Sequence, residues 1–264
     1  WWTAALTHQC TWINMVPTII AYLLNDEQSA PSYLGAIRFA RSASAPLPPE
    51  QQRAFEARFG VPVVEAMGMT ETASVVFCNP MPPAARKIGS PGVPVGIEVK
   101  VIDEQGQTLP ATAAGEICLR GPGVMNAYFR APEQTAQAFT ADGWLRSGDL
   151  GYCDVDGFYF ITGRLKELII KGGENIAPRE IDEALLSHPA VLEAAAVGVP
   201  DPAYGQEILA AVVLKPGAAL TEQALREFCL DVLGRYKTPR DIRFVDELPK
   251  GASGKVQRLK LLET

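Results

Sequence analysis

The chain has 264 residues, 47% of them hydrophobic and 20% charged, a size and composition typical of two globular domains rather than of a disordered chain. Its net charge of −6 and its scattered lysines and arginines exclude the basic surface that binds nucleic acid or an acidic membrane. Five widely spaced cysteines without a CxxC pair argue against a zinc site or a disulfide framework, and indicate reduced thiols in a cytoplasmic protein.

The N-terminal sequence bears on membrane insertion and on completeness. The longest apolar run, residues 13–24, contains Asn14 and Pro17 and is shorter than the ~20 residues that a membrane-spanning helix needs. We therefore expect no membrane span. The chain begins Trp1-Trp2-Thr3 without an initiator methionine, so we expect it to be the later part of a longer polypeptide.

The first part of the chain predicts helices alternating with strands. Helical patterns cover the first residues, Thr18–Leu24 and Pro49–Phe59, and strand patterns cover residues 12–16, 37–40 and 61–65. A strand, helix and strand in this order imply a right-handed crossover between parallel strands. The loops at residues 42–46 and 66–72 should then lie at the carboxyl ends of strands in one sheet, where open α/β sheets bind ligands.

The second of these loops, AMGMTET, carries groups suited to a nucleotide. Gly68 would let a flat ligand approach the backbone, Thr70 offers a hydroxyl to a phosphate, and Glu71 offers a carboxylate to Mg²⁺. A loop with a solvated glutamate and no ligand is the alternative interpretation.

The middle of the chain predicts antiparallel strands, at residues 97–101 and 117–120. In the segment WLRSGDLG, Asp149 lies between two glycines, where a carboxylate can accept both hydroxyls of a ribose or can cap its own turn. The sequence DVDG lacks the later ligands of a calcium loop, so we predict a hairpin turn at residues 154–157.

A charged joint at residues 163–167 precedes a second unit. We predict a strand at Leu168–Lys171, a turn at Gly172-Gly173 and a helix from Pro178. Strands at residues 191–198, 208–215 and 242–245 and a helix at 221–233 follow. We therefore divide the chain into domains 1–165 and 166–264, the second a compact α+β domain.

The C-terminal motif GASGK is not a nucleotide P-loop. The first glycine of GxxxxGK[ST] would fall at Pro249, and Val256 stands at the Ser/Thr position. What remains is Lys255 on a flexible Gly/Ser loop, from which it can reach another domain.

These motifs together resemble the adenylate-forming superfamily of acyl-CoA synthetases, peptide-synthetase adenylation domains and firefly luciferase. The stretch GRLKELIIKGGENIAPREI at residues 163–181 resembles the hinge motif, and the likeness extends over about residues 10–262. It implies an α/β plus α+β fold. The first domain would be the later part of a large N-terminal domain, with part of a parallel sheet, helices and an antiparallel β subdomain, and a small mobile C-terminal domain would follow.

The resemblance implies an AMP-forming acid–CoA ligase. Such enzymes use ATP and Mg²⁺ to convert a carboxylic acid to acyl-AMP, and then pass the acyl group to CoA. The segments RFARSASAPL, CNPMPPAARKIGSPG and YGQEI resemble the oxalate–CoA ligase branch. Acyl transfer to a carrier-protein thiol is one alternative, and a non-catalytic nucleotide-binding or docking module is another.

The resemblance also assigns residues by motif. It implies catalytic roles for Lys255, Thr70 and Glu71, with Glu71 also the metal ligand; Lys166 matches the hinge residue and Arg164 an arginine that contacts ribose. The remaining implied ligand-binding residues are Ser44, Ala45, Pro46, Ala66, Met67, Gly68, Met69, Asp149, Ile161, Gly172 and Gly173. The two glycines would line a passage for the pantetheine thiol.

Two parts of the family pattern are missing from the sequence. In family members the Ser/Thr/Gly-rich loop that grips the β- and γ-phosphates, and the segment that lines much of the acyl pocket, both precede the first residue of this chain. We therefore expect the N-terminal portion of the same enzyme to be a partner of this chain, and we expect the chain alone not to form adenylates.

Overall fold

The protein, a computed structural model, is described here for residues 1–26, 34–73, 75–251 and 254–263. It forms two compact units, residues 1–161 and 162–264. Within the described ranges, no helix combines the length and the apolar character that crossing a bilayer requires.

The first unit contains two sheets and flanking helices. Its helices are α1 (Trp2–Thr7), α2 (Pro17–Asn25), α3 (Pro49–Phe59) and α4 (Pro132–Ala138). One sheet has, in spatial order, β1 (Trp12–Met15), β2 (Phe39–Ser42), β3 (Val63–Gly68), β4 (Val75–Cys78) and β5 (Val93–Pro94). The other has β6 (Glu98–Ile102), β7 (Gly115–Arg120), β8 (Leu145–Cys153) and β9 (Tyr159–Arg164).

The predicted parallel crossover is confirmed. Strands β1, β2 and β3 pair in parallel, and α3 connects β2 to β3. The helix begins with Pro49, whose fixed φ suits a first turn, and ends at Gly60 with a left-handed φ of 65°. Phe55 and Phe59, four residues apart, are buried on its inner face.

The predicted strand bounds near the two loops were wrong. The strand expected at 37–40 begins at Phe39 and continues to Ser42, because this segment pairs with β1 on one side and β3 on the other. The segment Ala66–Gly68, expected to be a loop, extends β3, because its backbone pairs antiparallel with β4. Strand β4 was not predicted, so its ability to extend β3 was not visible in the sequence.

Within the first unit, the antiparallel sheet β6–β9 contacts the sheet β1–β5. Gly92 forms an isolated bridge with Tyr159, and the Tyr159 ring stacks on Phe77 with 4.7 Å between centroids. The Gly92 backbone has a φ of 106°, and a Cβ there would lie 2.1 Å from the Cys78 carbonyl carbon. Glycine is therefore required at this crossing. The predicted hairpin turn at residues 154–157 is confirmed, between β8 and β9.

The second unit is an α+β fold around one sheet. Its strands are β10 (Ile169–Lys171), β11 (Glu174–Ile176), β12 (Val191–Asp201), β13 (Gly205–Leu214) and β14 (Asp241–Phe244), and its helices are α5 (Pro178–Ser187) and α6 (Glu222–Lys237). The sheet order is β11-β10-β13-β12, with β14 parallel to β13. Both helices pack on a buried core with Ile169, Ile181 and Leu225.

Two details of the second unit differ from prediction. Strand β11 was not predicted, since the two glycines before it and the proline after it left only three residues to show a pattern. Helix α6 extends beyond residue 233, although Gly234, with a φ of 72°, interrupts its helical backbone. Its predicted N-cap is confirmed, because the Thr221 hydroxyl accepts a hydrogen bond from the Ala224 amide at 3.2 Å.

Candidate functional site

The first predicted ligand loop, Ser44–Pro46, follows the carboxyl end of β2. Ser44 and Pro46 are exposed, and Ala45 is half-buried. Ser44 has a φ of 78°, a left-handed conformation that is uncommon for a residue with a side chain. Such backbone strain concentrates at ligand sites. The loop is therefore placed as expected, at the edge where β2 and β3 both end.

The second loop begins where β3 ends. Gly68 and Thr70 are exposed there, and residues Thr70–Thr72 form one 3₁₀ turn that ends at Ala73, with a φ of 61°. Because β2 and β3 are parallel, this turn and the Ser44 loop occupy the same edge of the sheet. The edge thus presents a backbone without side chain at Gly68, a hydroxyl at Thr70 and a carboxylate at Glu71.

The segment that follows β7 contacts Glu71 through both its backbone and its side chain. Its backbone carbonyl accepts a hydrogen bond from the Met125 amide at 2.7 Å, and its Oε1 accepts one from the Tyr128 hydroxyl at 2.8 Å. A Cβ on Gly123 would lie 2.9 Å from the Thr72 carbonyl oxygen, so this segment passes directly against the turn. The contact with Glu71 raises the pKa of Tyr128. Sequence reasoning missed Tyr128, because nothing in the motif indicates a partner so distant in the chain.

The carboxylate of Glu71 suits a magnesium ion that takes most of its ligands from water and phosphate oxygens. Among the described residues, no group of three or more His, Cys, Asp or Glu could hold a metal. Mg²⁺ commonly takes one or two carboxylates and completes its octahedron with water and phosphate oxygens. Glu71 can supply one such oxygen beside the Thr70 hydroxyl, without a protein cage.

Asp149 lies within β8 and not in the turn that the sequence predicted. The pairing of β7 with β8 shifts register between Glu116 and Cys118, so residues 147–149 form a β-bulge. Ser147 Oγ closes the bulge by donating to a β7 carbonyl at 2.7 Å and accepting from the Asp149 amide at 3.0 Å. The strand belongs to the antiparallel sheet and is not paired with β1–β3. The Asp149 side chain is buried, with 3% of its surface exposed.

Three of the predicted ligand-binding residues share one apolar cluster. Met67, Met69 and Ile161 pack against the buried side chains of Phe77, Val76, Ile117, Leu119, Leu145 and Tyr159. The cluster joins the end of β3 to the antiparallel sheet that carries Asp149. The first unit therefore places Met67 and Met69 of the AMGMTET segment and Ile161 on one apolar cluster.

Two of the cysteines, Cys118 and Cys229, are unsuited to nucleophilic catalysis. Burial raises the pKa of the Cys118 thiol and that of the Cys229 thiol to about 11 in each case. Both are therefore protonated at neutral pH, and the reactive thiolate form is not populated.

The remaining predicted residues belong to the second unit. Arg164 and Lys166 are exposed in the joint, and Gly172 and Gly173 form the exposed turn between β10 and β11 with φ values of 55° and 87°. Lys255 is exposed near the C-terminus. Two residues of its loop, Ala252 and Ser253, lie outside the described residues.

An aromatic pair beside the glycine turn was not predicted. A Cβ on Gly172 would lie 2.9 Å from the Tyr236 hydroxyl and 3.3 Å from the Tyr204 ring. Beneath them Lys171 is buried, with its Nζ 2.6 Å from Glu207 and 2.9 Å from the Tyr236 carbonyl oxygen. The turn thus has an aromatic wall on one side, formed by Tyr204 and Tyr236 from two separate segments.

Comparison with known proteins identifies the family. The sequence pattern of the AMP-binding enzyme family matches residues 1–129, and that of the AMP-binding enzyme C-terminal domain matches residues 180–255. The chain is 63% identical to a sulfoacetate–CoA ligase of Cupriavidus necator over 262 residues, which are 99% of this chain and 51% of that protein. It is 42% identical to an oxalate–CoA ligase of Saccharomyces cerevisiae, over 100% of this chain and 48% of that protein.

A solved structure gives the same result. The ATP-bound MatB of Rhodopseudomonas palustris matches with a TM-score of 0.93 and 35% identity, over 99% of this chain and 52% of that chain. The chain thus spans about half the length of the curated relatives that it matches. It belongs to the AMP-binding enzyme family, the adenylate-forming enzymes, as the motifs predicted.

Proposed function

We propose that this chain, within its complete polypeptide, activates a carboxylic acid with ATP and transfers the acyl group to the thiol of CoA. The observation that carries the proposal is the Thr70–Glu71 turn at the carboxyl edge of β3, where Thr70 is exposed and the half-buried Glu71 is contacted by Met125 and Tyr128. The relatives of this chain include enzymes named as CoA ligases, which supports CoA as the acceptor of the acyl group.

The proposed chemistry needs no covalent enzyme intermediate. A carboxylate oxygen attacks the α-phosphorus of ATP, the bond to pyrophosphate breaks, and pyrophosphate leaves with the negative charge. The CoA thiolate then attacks the acyl carbon, and AMP leaves. Negative charge gathers on the phosphate oxygens in the first step, so catalysis rests on positioned positive groups and hydrogen-bond donors.

Each site residue has a proposed part in this reaction. Lys255 places its ammonium at the reacting carboxylate and α-phosphate, and the Thr70 hydroxyl donates to a phosphate oxygen. Glu71 would hold Mg²⁺, which neutralises phosphate charge when bound. The Ser44–Pro46 loop and residues Ala66–Met69 would border the adenine, with Ile161 beside them, while Asp149 and Arg164 would contact the ribose.

The two units suggest how two different reactions use one carbonyl carbon. We propose that residues 1–165 are the later part of the adenylation domain and that residues 166–264 are a mobile domain hinged at Lys166. In one arrangement Lys255 would face the nucleotide. In the other, the Gly172-Gly173 turn would line the path of the pantetheine thiol. A cytoplasmic location belongs to the same proposal.

The substrate that we propose is a small acid with a second anionic group. Its support is the likeness to ligases named for sulfoacetate, with a sulfonate, and for oxalate, with a second carboxylate. Aryl and fatty acids are the comparison set, since the family resemblance alone does not separate these classes.

A pyrophosphate-release assay on the complete polypeptide tests this function. Sulfoacetate, oxalate, benzoate and a medium-chain fatty acid are each supplied with ATP, Mg²⁺ and CoA, and the thioester product is identified by mass spectrometry. We expect acid-dependent pyrophosphate, AMP and acyl-CoA, fastest with a small dianionic acid. Release that requires a pantetheinylated carrier protein in place of CoA would assign the acyl acceptor to that protein.

Calorimetry on the chain itself tests the alternative of a docking module. A non-hydrolysable acyl-AMP analogue should bind, and Asp149→Ala should weaken this binding. Equal affinity in the variant, or no binding by the complete polypeptide, would instead favour a chain that has no nucleotide site.

A further inference from the structure

The segment that carries Lys255 is a short hairpin with a defined base. Lys250 and Val256 form an antiparallel bridge, and the Gly251 amide donates to the Lys255 carbonyl at 2.9 Å. One step further out, the Gln257 amide donates to the Pro249 carbonyl at 2.7 Å. The exposed Lys255 side chain therefore stands on a closed base and not on an open strand.

One side of this base is attached to β12. The Lys250 Nζ lies 2.7 Å from Glu193 Oε2 and 2.8 Å from Glu193 Oε1. The Lys250 and Glu193 side chains are largely buried, at 22% and 12% exposed. This pair fixes the incoming strand of the hairpin to the sheet.

The other side is attached through Arg258. Its Nη2 lies 2.6 Å from Asp182 Oδ2, and its Nη1 lies 3.2 Å from Asp182 Oδ1, a two-pronged contact with helix α5. The same Nη1 donates to the Ala196 carbonyl on β12. Asp182 also accepts the Ala196 amide at 2.6 Å, so the carboxylate and the guanidinium complete one network.

The Nε group of Arg258 points to the joint. Arg258 Nε lies 3.2 Å from Glu167 Oε2. Glu167 ends the 3₁₀ turn Leu165–Glu167 and directly follows Lys166, the proposed hinge residue. A single guanidinium therefore connects the base of the Lys255 hairpin with the residue next to the hinge.

The two carboxylate contacts of Arg258 differ in burial, so we expect the contact with Asp182 to persist and the contact with Glu167 to be able to open. Its side chain is 15% exposed, and losing the buried Asp182 would leave an uncompensated charge, which is costly. Glu167 is 33% exposed and can be solvated when the contact opens. Removing Glu167 should therefore release the joint without unfolding the unit.

We propose that Arg258 is a positioning residue that, through Glu167, makes the Lys255 hairpin and the hinge segment move as one body. The inference rests on the proposed function, because it explains how rotation at the hinge would move Lys255 while its position relative to the hinge segment stays the same. Arg258 itself needs no contact with substrate for this role. Lysine cannot replace it, since only the planar guanidinium offers donors to α5, β12 and the joint together.

Hydrogen–deuterium exchange on the chain compares Glu167→Ala with the matched control Glu193→Ala. Each variant removes one carboxylate that pairs with the hairpin base, but only Glu167 lies in the joint. We expect Glu167→Ala to speed exchange about two- to tenfold in both segments 163–168 and 249–258, the factor for losing one charged, partly exposed hydrogen bond. Glu193→Ala should affect segment 249–258 and leave segment 163–168 unchanged.

Faster exchange in segment 163–168 alone, or in neither segment, after Glu167→Ala would overturn the inference. The same variants in the complete polypeptide add a readout of function. Glu167→Ala should slow acyl-AMP formation about threefold or more, while thioester formation from supplied acyl-AMP changes less. If the complete polypeptide makes no acyl-AMP from any acid, the proposed function fails, and the exchange result still decides whether the two segments are coupled.

Discussion

The Tyr128 hydroxyl donates a hydrogen bond of 2.8 Å to the Glu71 carboxylate, across 57 residues of sequence. This contact leaves Oε2 of the same carboxylate as the oxygen with which Glu71 could approach a cation. It also favours the side-chain orientation in which Glu71 lies against the segment that follows β7. Under the proposed function, the carboxylate would already be oriented when a nucleotide binds, and such preorganisation lowers the cost of binding.

We therefore expect Tyr128→Phe to raise the Mg²⁺ concentration needed for half-maximal acyl-AMP formation by about three- to tenfold, the cost of one hydrogen bond to a charged group. The rate at saturating Mg²⁺ should change less. Tyr152→Phe is the control, because it removes a hydroxyl from a ring that stacks on Phe160 at 5.1 Å. Identical Mg²⁺ curves for the Tyr128 variant and the parent would rule out the positioning role.

Lys255→Ala in the complete polypeptide should separate the two half-reactions. Loss of one preorganised charge at the transition state costs about 10²–10³ in rate, so acyl-AMP formation should fall by that factor. Thioester formation from supplied acyl-AMP should fall by less than about tenfold, since the lysine is withdrawn in that step under our proposal. Rapid-quench measurements of each step check this. Equal losses in both steps would refute the assignment.

The glycine turn offers a matched pair of substitutions. Gly172→Ala adds a methyl 2.9 Å from the Tyr236 hydroxyl and forces alanine to a φ of 55°, whereas the Gly173 Cβ position is open and only the φ of 87° opposes alanine. We expect both to lower stability by about 1–2 kcal/mol through backbone strain, with Gly172→Ala the worse. Thermal unfolding, together with the thioester rate, measures both effects. If Gly172→Ala were more stable than Gly173→Ala, the Tyr236 and Tyr204 side chains would have to move aside for the added methyl group.

Acid sensitivity of the first unit should depend on Glu56. Burial favours a higher pKa, but hydrogen bonds from Arg86, the Val63 amide and Gln52 outweigh it and lower the pKa of Glu56 below its ordinary value of 4.5. Because the folded value is the lower one, this stabilisation is present above pH 4.5 and is lost as the pH falls through the folded value.

Arg86→Met should therefore destabilise the protein by about 1–3 kcal/mol near pH 7, since Arg86 donates to both Glu56 oxygens, at 2.6 and 2.7 Å. The difference from the parent should shrink as the pH drops below 4.5. Urea unfolding at several pH values gives the comparison. A difference that is constant with pH would mean that Arg86 contributes packing and not charge.

The sequence predicted most of the fold and proposed the residues of the site, but it predicted few of the contacts that those residues make. Local signals such as Pro49, Gly60 and the Thr221 cap determine helix ends, so these predictions held. The extension of β3 to Gly68 depends on pairing with β4, which no local pattern reveals. Asp149 looked like a turn residue because a β-bulge and a turn use the same small polar residues.

Partners that are distant in the chain were equally hidden. Tyr128 beside Glu71 and Arg258 beside Glu167 are separated by 57 and 91 residues, and each pair forms only because other strands bring the segments together. The motif resemblance proposed Glu71 and Lys255 as site residues without indicating what holds either in place. The structure supplies these supports, within the first unit for Glu71 and within the second for Lys255.

The most direct test follows one oxygen atom through the reaction of the complete polypeptide. The acid is labelled with ¹⁸O in its carboxylate and incubated with ATP, Mg²⁺ and CoA, and the products are analysed by mass spectrometry. Attack of the carboxylate on the α-phosphorus predicts one ¹⁸O in AMP and none in pyrophosphate. Label in inorganic phosphate, with ADP as the nucleotide product, would show attack on the γ-phosphorus and would contradict adenylate formation.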